Sequence, residues 1–170
     1  MMETTDTSGR TSNDGRLNGA RLLIVDDDRD VLESFNVALR SEGAKTITSQ
    51  DGNAAVQLTL EKKPDLVVLD MMLPGRSGFF ALEEIKGRDD SPMVIMCTAN
   101  EGRRHQQYAE QMGVDAYLVK PVPLGRLIAL IEDLLGDVMR ERRASGELDE
   151  PETHEDAREN EDESEGEGED

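Results

Sequence analysis

The stretch Leu66-Val67-Val68-Leu69-Asp70-Met71-Met72-Leu73-Pro74-Gly75 decides the fold. Four aliphatic residues in a row, with Pro64 ahead and Pro74-Gly75 behind, read as a short strand buried on both faces. Strands of that kind belong to parallel sheets covered by helices on each side. The Asp70 carboxylate then falls at the strand's C-terminal end, where open α/β sheets carry their chemistry. A second run, Leu22-Leu23-Ile24-Val25, ends in Asp26-Asp27-Asp28 in the same way. Two neighbouring strands ending in carboxylates concentrate negative charge, and oxygen ligands of that kind suit Mg²⁺. With a cation in place, Asp70 becomes a candidate acceptor for a phosphoryl group.

Working outward, short apolar runs alternate with amphipathic stretches from about Ala20 to Arg143. The strand candidates are Arg21–Asp26, Ala44–Thr48, Leu66–Asp70, Met93–Cys97 and Ala116–Val119. Helices are expected near Arg29–Glu42, Gly52–Lys62, Gly78–Lys86, Arg103–Met112 and Leu124–Arg143. The first carries Val31, Leu32, Phe35, Ala38 and Leu39 on one stripe and is stopped by Gly43. In the second, Ala55, Val56, Leu58 and Leu60 are the apolar residues. The last carries Leu127, Ile128, Ile131, Leu134, Leu135 and Val138. Five strands alternating with five helices imply a doubly wound parallel sheet covered on both faces.

The flanks have a different composition. Residues 1–19 are polar and without period, and are expected to be a flexible N-terminal arm. Residues 144–170 hold 14 acidic residues and one Arg, and are expected to be an acidic, disordered tail. Most of the chain's formal charge of −19 therefore sits in the tail, and the balance argues against nonspecific nucleic-acid binding. No apolar run is long enough to cross a bilayer, and the N-terminus lacks the apolar stretch of a secretory signal. The one cysteine, Cys97, reads as a small buried strand residue and cannot form an internal disulfide. Together these features lead to the expectation of a cytoplasmic protein.

Four motifs in order then carry a resemblance: Val25-Asp26-Asp27, Leu69-Asp70 followed by Pro74-Gly75, Cys97-Thr98-Ala99, and Tyr117-Leu118-Val119-Lys120-Pro121. From about Ala20 to Arg143 the chain resembles the receiver domain of two-component response regulators. The resemblance implies the flavodoxin-like (βα)5 fold with strand order 2-1-3-4-5. It implies that Asp26 and Asp27 hold Mg²⁺ with Asp70, and that Met72 adds a backbone carbonyl. Asp70 would accept the phosphoryl group, with Thr98 hydrogen-bonding a phosphoryl oxygen. Lys120 would pair with the phosphoryl group, or with Asp70 before reaction, and the Lys120-Pro121 peptide would be cis. Tyr117 would rotate when Thr98 moves, and it reads equally as a core aromatic. The readout surface would be the fourth helix, fifth strand and fifth helix, including His105, Gln106, Gln107, Tyr108, Tyr117 and Leu124.

The partners so implied are a sensor histidine kinase or phosphotransfer protein and a downstream protein of unknown identity. Neither nucleic acid nor membrane is an expected partner. Homodimerisation through the fourth-helix face stays open beside hetero-association. No helix-turn-helix fits after the last helix, so a stand-alone receiver acting by protein contact is the expectation. It would not be an enzyme beyond self-phosphorylation on Asp70 and slow self-dephosphorylation. Two other classes compete. A phosphorylation-independent adaptor would keep the fold without the chemistry. A metal-dependent aspartyl-phosphate phosphatase would carry a second acid two residues after the nucleophile, where this chain has Met72. Several residues have plainer readings: Asp28 as a helix-start residue favoured by the dipole, and His105 and His154 as solvated side chains.

Overall fold

The computed structural model describes residues 15–99 and 102–147. Ten elements follow in strict alternation: β1 (Arg21–Val25), α1 (Arg29–Ser41), β2 (Lys45–Ser49), α2 (Gly52–Lys62), β3 (Leu66–Leu69), α3 (Gly78–Lys86), β4 (Met93–Thr98), α4 (Arg103–Gln111), β5 (Ala116–Val119) and α5 (Leu124–Ser145). All five strands are parallel, in the order β2-β1-β3-β4-β5. This is the flavodoxin-like arrangement expected from the sequence.

The sheet separates two apolar layers. On one face α1 and α5 cover Leu22, Ile24, Leu66, Val68, Ile95 and Cys97. On the other, α2, α3 and α4 cover Leu23, Val25, Val67, Leu69, Val94 and Met96. Alternate residues of each central strand thus face opposite layers, which is why these strands read as unbroken aliphatic runs. Local signals set the helix starts. Asp28 caps α1 by accepting from the Asp30 and Val31 amides at 2.9 and 3.3 Å, and Asp51 caps α2 through Asn53 and Ala54.

Several sequence expectations need correction. Residues 15–19 are not arm: they form a turn, Leu17 is fully buried against the α1–α5 layer, and the Leu17 amide donates to Glu42. A lone Leu in a polar stretch carries no periodic signal. Residues 1–14 lie outside the described residues. At the other end α5 runs on to Ser145, with Gly146 in the left-handed conformation as its cap, so the tail begins later than residue 144. Residues 148–170, His154 among them, lie outside the described residues. On α2, Thr59 is buried and Leu60 is exposed, because the Thr59 hydroxyl donates to the Ala55 carbonyl at 2.8 Å and so meets its own need inside the layer. On α5, Met139 takes the fully packed position and Val138 is only half-buried, since steps of four from Ile131 and Leu135 stay on one face.

Candidate functional site

The site follows from strand register. Val25 pairs with Leu69, so Asp26 and Asp70 leave adjacent strands at one level. The Asp70 amide donates to the Val25 carbonyl at 3.0 Å, locking that step. Thr98 pairs with Val119, and the Lys120 amide donates to the Thr98 carbonyl at 2.8 Å. Four strand ends thereby converge, carrying Asp26 with Asp27, Asp70, Thr98 and Lys120.

Oxygens of Asp26, Asp27 and Asp70 lie within 4.8 Å of one another. Asp26 and Asp70 are buried, and Asp27 faces solvent. The Lys120 ammonium donates to Asp26 Oδ2 at 2.5 Å and to Asp70 Oδ2 at 3.2 Å. The remaining oxygens are also engaged: Asp26 Oδ1 accepts from the Asp28 amide at 3.0 Å, and Asp70 Oδ1 from the Met72 amide at 3.2 Å. Lys120 thus pairs with Asp70 and reaches Asp26 more closely still. The Lys120–Pro121 peptide is cis. Thr98 is fully buried, and Tyr117 is half-buried against the α2–α3–α4 layer. The Met72 side chain is 65% exposed.

Three carboxylates face one ammonium here, and the titration behaviour reflects that imbalance. Burial pushes the Asp26 carboxyl above its ordinary range, and the Asp70 charge adds to the rise. The hydrogen bonds from Lys120 and the Asp28 amide offset only part of it. For Lys120 burial acts downward, but the bond to Asp26 and the charges of Asp70 and Asp26 outweigh it and hold the ammonium above its usual value. Cys97, behind the pocket, is pushed up to about 12 by burial and is no nucleophile.

One residue that shapes the site escaped the sequence reading. Gly78 starts α3 hard against the Asp70–Met71 backbone: a Cβ there would lie 2.1 Å from the Asp70 carbonyl oxygen. Its amide donates to the Met71 carbonyl at 2.9 Å. The signal was a glycine at a helix start just past the acidic strand end, where a side chain would ordinarily be free to project. Ser77, before it, caps α3 through the Phe80 amide.

An open doubly wound sheet with a carboxylate pocket at its C-terminal strand ends places this chain among α/β proteins that work at that edge of the sheet, and the oxygens there suit a hard cation such as Mg²⁺. Comparison with known proteins narrows it. The family model of the response regulator receiver domain matches residues 22–132. The chain belongs to that family, whose members are signalling modules of two-component systems. It is similar to a CheY-like response regulator receiver domain protein from Methanospirillum hungatei, at 27% identity and a TM-score of 0.68, over 72% of this chain and 98% of that one. A receiver domain of a sensor histidine kinase from Pseudomonas aeruginosa, solved with magnesium coordinated in its active-site cleft, matches at 27% identity and a TM-score of 0.65, over 69% of this chain and 98% of that one. The BeF3-activated receiver domain of RstA from Klebsiella pneumoniae matches at 25% identity and a TM-score of 0.64, over 68% of this chain and 97% of that one. The Asp26–Asp27–Asp70 pocket fits the phosphorylation site of such domains. Among the described residues no helix is long and apolar enough to cross a membrane.

Proposed function

We propose that this receiver accepts a phosphoryl group on Asp70 from a histidine kinase or phosphotransfer protein and thereby switches its affinity for a protein partner. The observation that carries the reading is the pocket itself: three carboxylates within 4.8 Å, with Lys120 bonded to Asp26 and Asp70. Asp26, Asp27 and Asp70 would hold Mg²⁺, with the Met72 carbonyl as a further ligand. When bound, the metal offsets charge on the phosphoryl oxygens. The chain's own residues do the rest. An Asp70 oxygen attacks phosphorus as the phosphorus–nitrogen bond to the donor imidazole breaks. The transition state is loose and rich in negative charge, so positioning and electrostatics dominate. Lys120 stands within reach to follow that charge from Asp26 toward the new phosphoryl oxygens.

The proposed switch uses residues beside the same pocket. An acyl phosphate adds about −1.5 to −2 charge and new acceptor oxygens. Thr98, on the neighbouring strand end, is drawn toward them, and the half-buried Tyr117 fills the space it leaves. The altered surface is that of α4, β5 and α5, where the partner reads the state.

Intact mass after incubation with acetyl phosphate and Mg²⁺ tests the reading. A single phosphoryl adduct is expected, absent without Mg²⁺. No adduct from acetyl phosphate or from a cognate kinase would overturn it in favour of a phosphate-independent adaptor.

A further inference from the structure

The face formed by α3 and α4 has a composition that neither the pocket nor the fold accounts for. Phe79 of α3 stacks on His105 at 5.9 Å and meets Tyr108 edge-on at 5.1 Å. Phe79 packs against the α2–α3–α4 layer, and beside it Tyr108 is 50% exposed, with His105 also exposed. The following residue on α3, Phe80, is turned about 100° from Phe79 and lies under the Arg76 guanidinium, which sits 3.9 Å from its ring centre. The first turn of α4 is Arg103-Arg104-His105, all exposed, with no acid and no side-chain cap. Cations at a helix N-terminus oppose the macrodipole, so helix stability does not explain them.

A second cationic cluster, on and near α5, is neutralised only in part, since among the described residues Arg143 has no ion pair. At the lower end of the fold Arg16 pairs with Glu132, Arg140 with Asp137, and Arg142 with Asp65 and Glu147. Among the described residues no ion pair involves Arg76, Arg103 or Arg104, although the formal charge of the whole chain is −19.

We propose that the α3–α4 face is a docking surface for the chain's own acidic segment, residues 148–170. Charge complementarity with Arg103 and Arg104 at the start of α4 selects this occupant: the segment holds 13 Asp and Glu against one Arg, and 8 of the acids fall in its last 12 residues. The exposed Glu83, Glu84 and Glu110 lie toward the other ends of α3 and α4, so the contact is confined to the helix starts. Reach permits it. A domain of this size is about 36 Å across. The 23 residues after Glu147 extend to about 76 Å, beyond half its circumference. Docked there, the segment covers Tyr108 and His105 and competes with any partner that uses α4. The contact needs no phosphoryl group on Asp70, so it stands or falls apart from the phosphorylation reading.

A spin label on the full chain tests this. Ser164→Cys supplies the attachment point, and the native Cys97 is 1% exposed. At low ionic strength the nitroxide is expected to broaden amide signals of residues 79–80 and 103–108. The broadening should vanish at about 0.5 M salt, where screening is short-ranged. It should be lost in Arg103→Glu/Arg104→Glu and kept in Arg140→Glu/Arg143→Glu. Broadening centred on α5, or unaffected by the α4 charge reversal, overturns the proposal. So does broadening seen on unlabelled chains mixed with labelled ones, which would make the occupant a second copy.

Discussion

At the C-terminal ends of the strands, Asp26 and Asp70 share one lysine; at the N-terminal ends, Asp65 lies between two arginines. Both Asp26 and Asp65 are carboxylates shielded from solvent, yet they are shifted in opposite directions. Burial would raise either one. At Asp65 the Arg142 guanidinium donates to both oxygens, the Arg21 amide donates at 2.8 Å, and both cations add their charge. Together they outweigh burial and hold the carboxyl below its ordinary range. At Asp26 a single ammonium is divided between two acids, and burial wins. The comparison teaches that charge ratio, more than depth, decides what a buried carboxylate does. The lower end is neutralised and fastens α5 to β3 and, through the Gly19 carbonyl, to the N-terminal turn. The upper end keeps unbalanced negative charge, the condition for taking up a cation.

The sharpest way to break this contrast is at Asp70. Asp70→Asn keeps the shape of the pocket and removes the nucleophile, and the phosphoryl adduct seen by intact mass should disappear entirely. Gly78→Ala comes next. Its new methyl group meets the Asp70 carbonyl oxygen, so the backbone carrying the acceptor must move. Overpacking of this kind costs about 1–3 kcal/mol. A roughly tenfold or greater fall in phosphorylation rate is expected, since displacements of about 1 Å can cost 10²-fold. An unchanged rate would show that α3 does not position Asp70.

Two carboxamide substitutions compare the ends directly. Asp65→Asn leaves Arg142 without its carboxylate and should destabilise by about 2–3 kcal/mol. That is just below the range for a broken buried pair, because Arg142 keeps the Gly19 carbonyl and some solvent. Asp26→Asn removes one of several crowded acids and leaves Lys120 with Asp70. In a chelator it should change stability by less than about 1 kcal/mol in either direction, while weakening Mg²⁺ binding. Urea denaturation measures both, and equal losses would dissolve the contrast. Acid sharpens it further. Asp65 is held below the ordinary carboxylate value, so its contribution is present above about pH 4 and is lost as pH falls through the lowered folded value. The stability gap between the native chain and Asp65→Asn should therefore be full at pH 7 and close below about pH 4.

How much of this was legible in the sequence differs between the two ends for a physical reason. The upper end is written locally: an aliphatic run places its following residue at a strand end, and Asp26, Asp70, Thr98 and Lys120 each follow or close such a run. The lower end is written in long-range pairs. Nothing near Asp65 announces Arg142, which is 77 residues away, and nothing around Leu17 announces that it closes the α1–α5 layer. The preference of Lys120 for Asp26 was likewise hidden, because side-chain reach among converging strand ends depends on twist and not on spacing. Gly78 was visible as a residue but not as a contact, since its meaning lies in the atom it lacks.

The smallest expected effect concerns how long the upper end keeps its added charge. Met72 is the second residue after Asp70, its amide is bonded to the Asp70 carboxylate, and its thioether side chain lies mostly in solvent. Hydrolysis of an acyl phosphate needs a water held in line with the phosphorus–oxygen bond. A methionine offers only a weak acceptor there, whereas an amide or carboxylate could orient that water. Met72→Asn and Met72→Glu should therefore shorten the phosphorylated lifetime by several-fold while leaving stability within about 0.5 kcal/mol, as for other exposed positions. The decay of the adduct by mass after removal of acetyl phosphate gives the rate. If neither substitution alters it, water at this site is positioned by something other than residue 72.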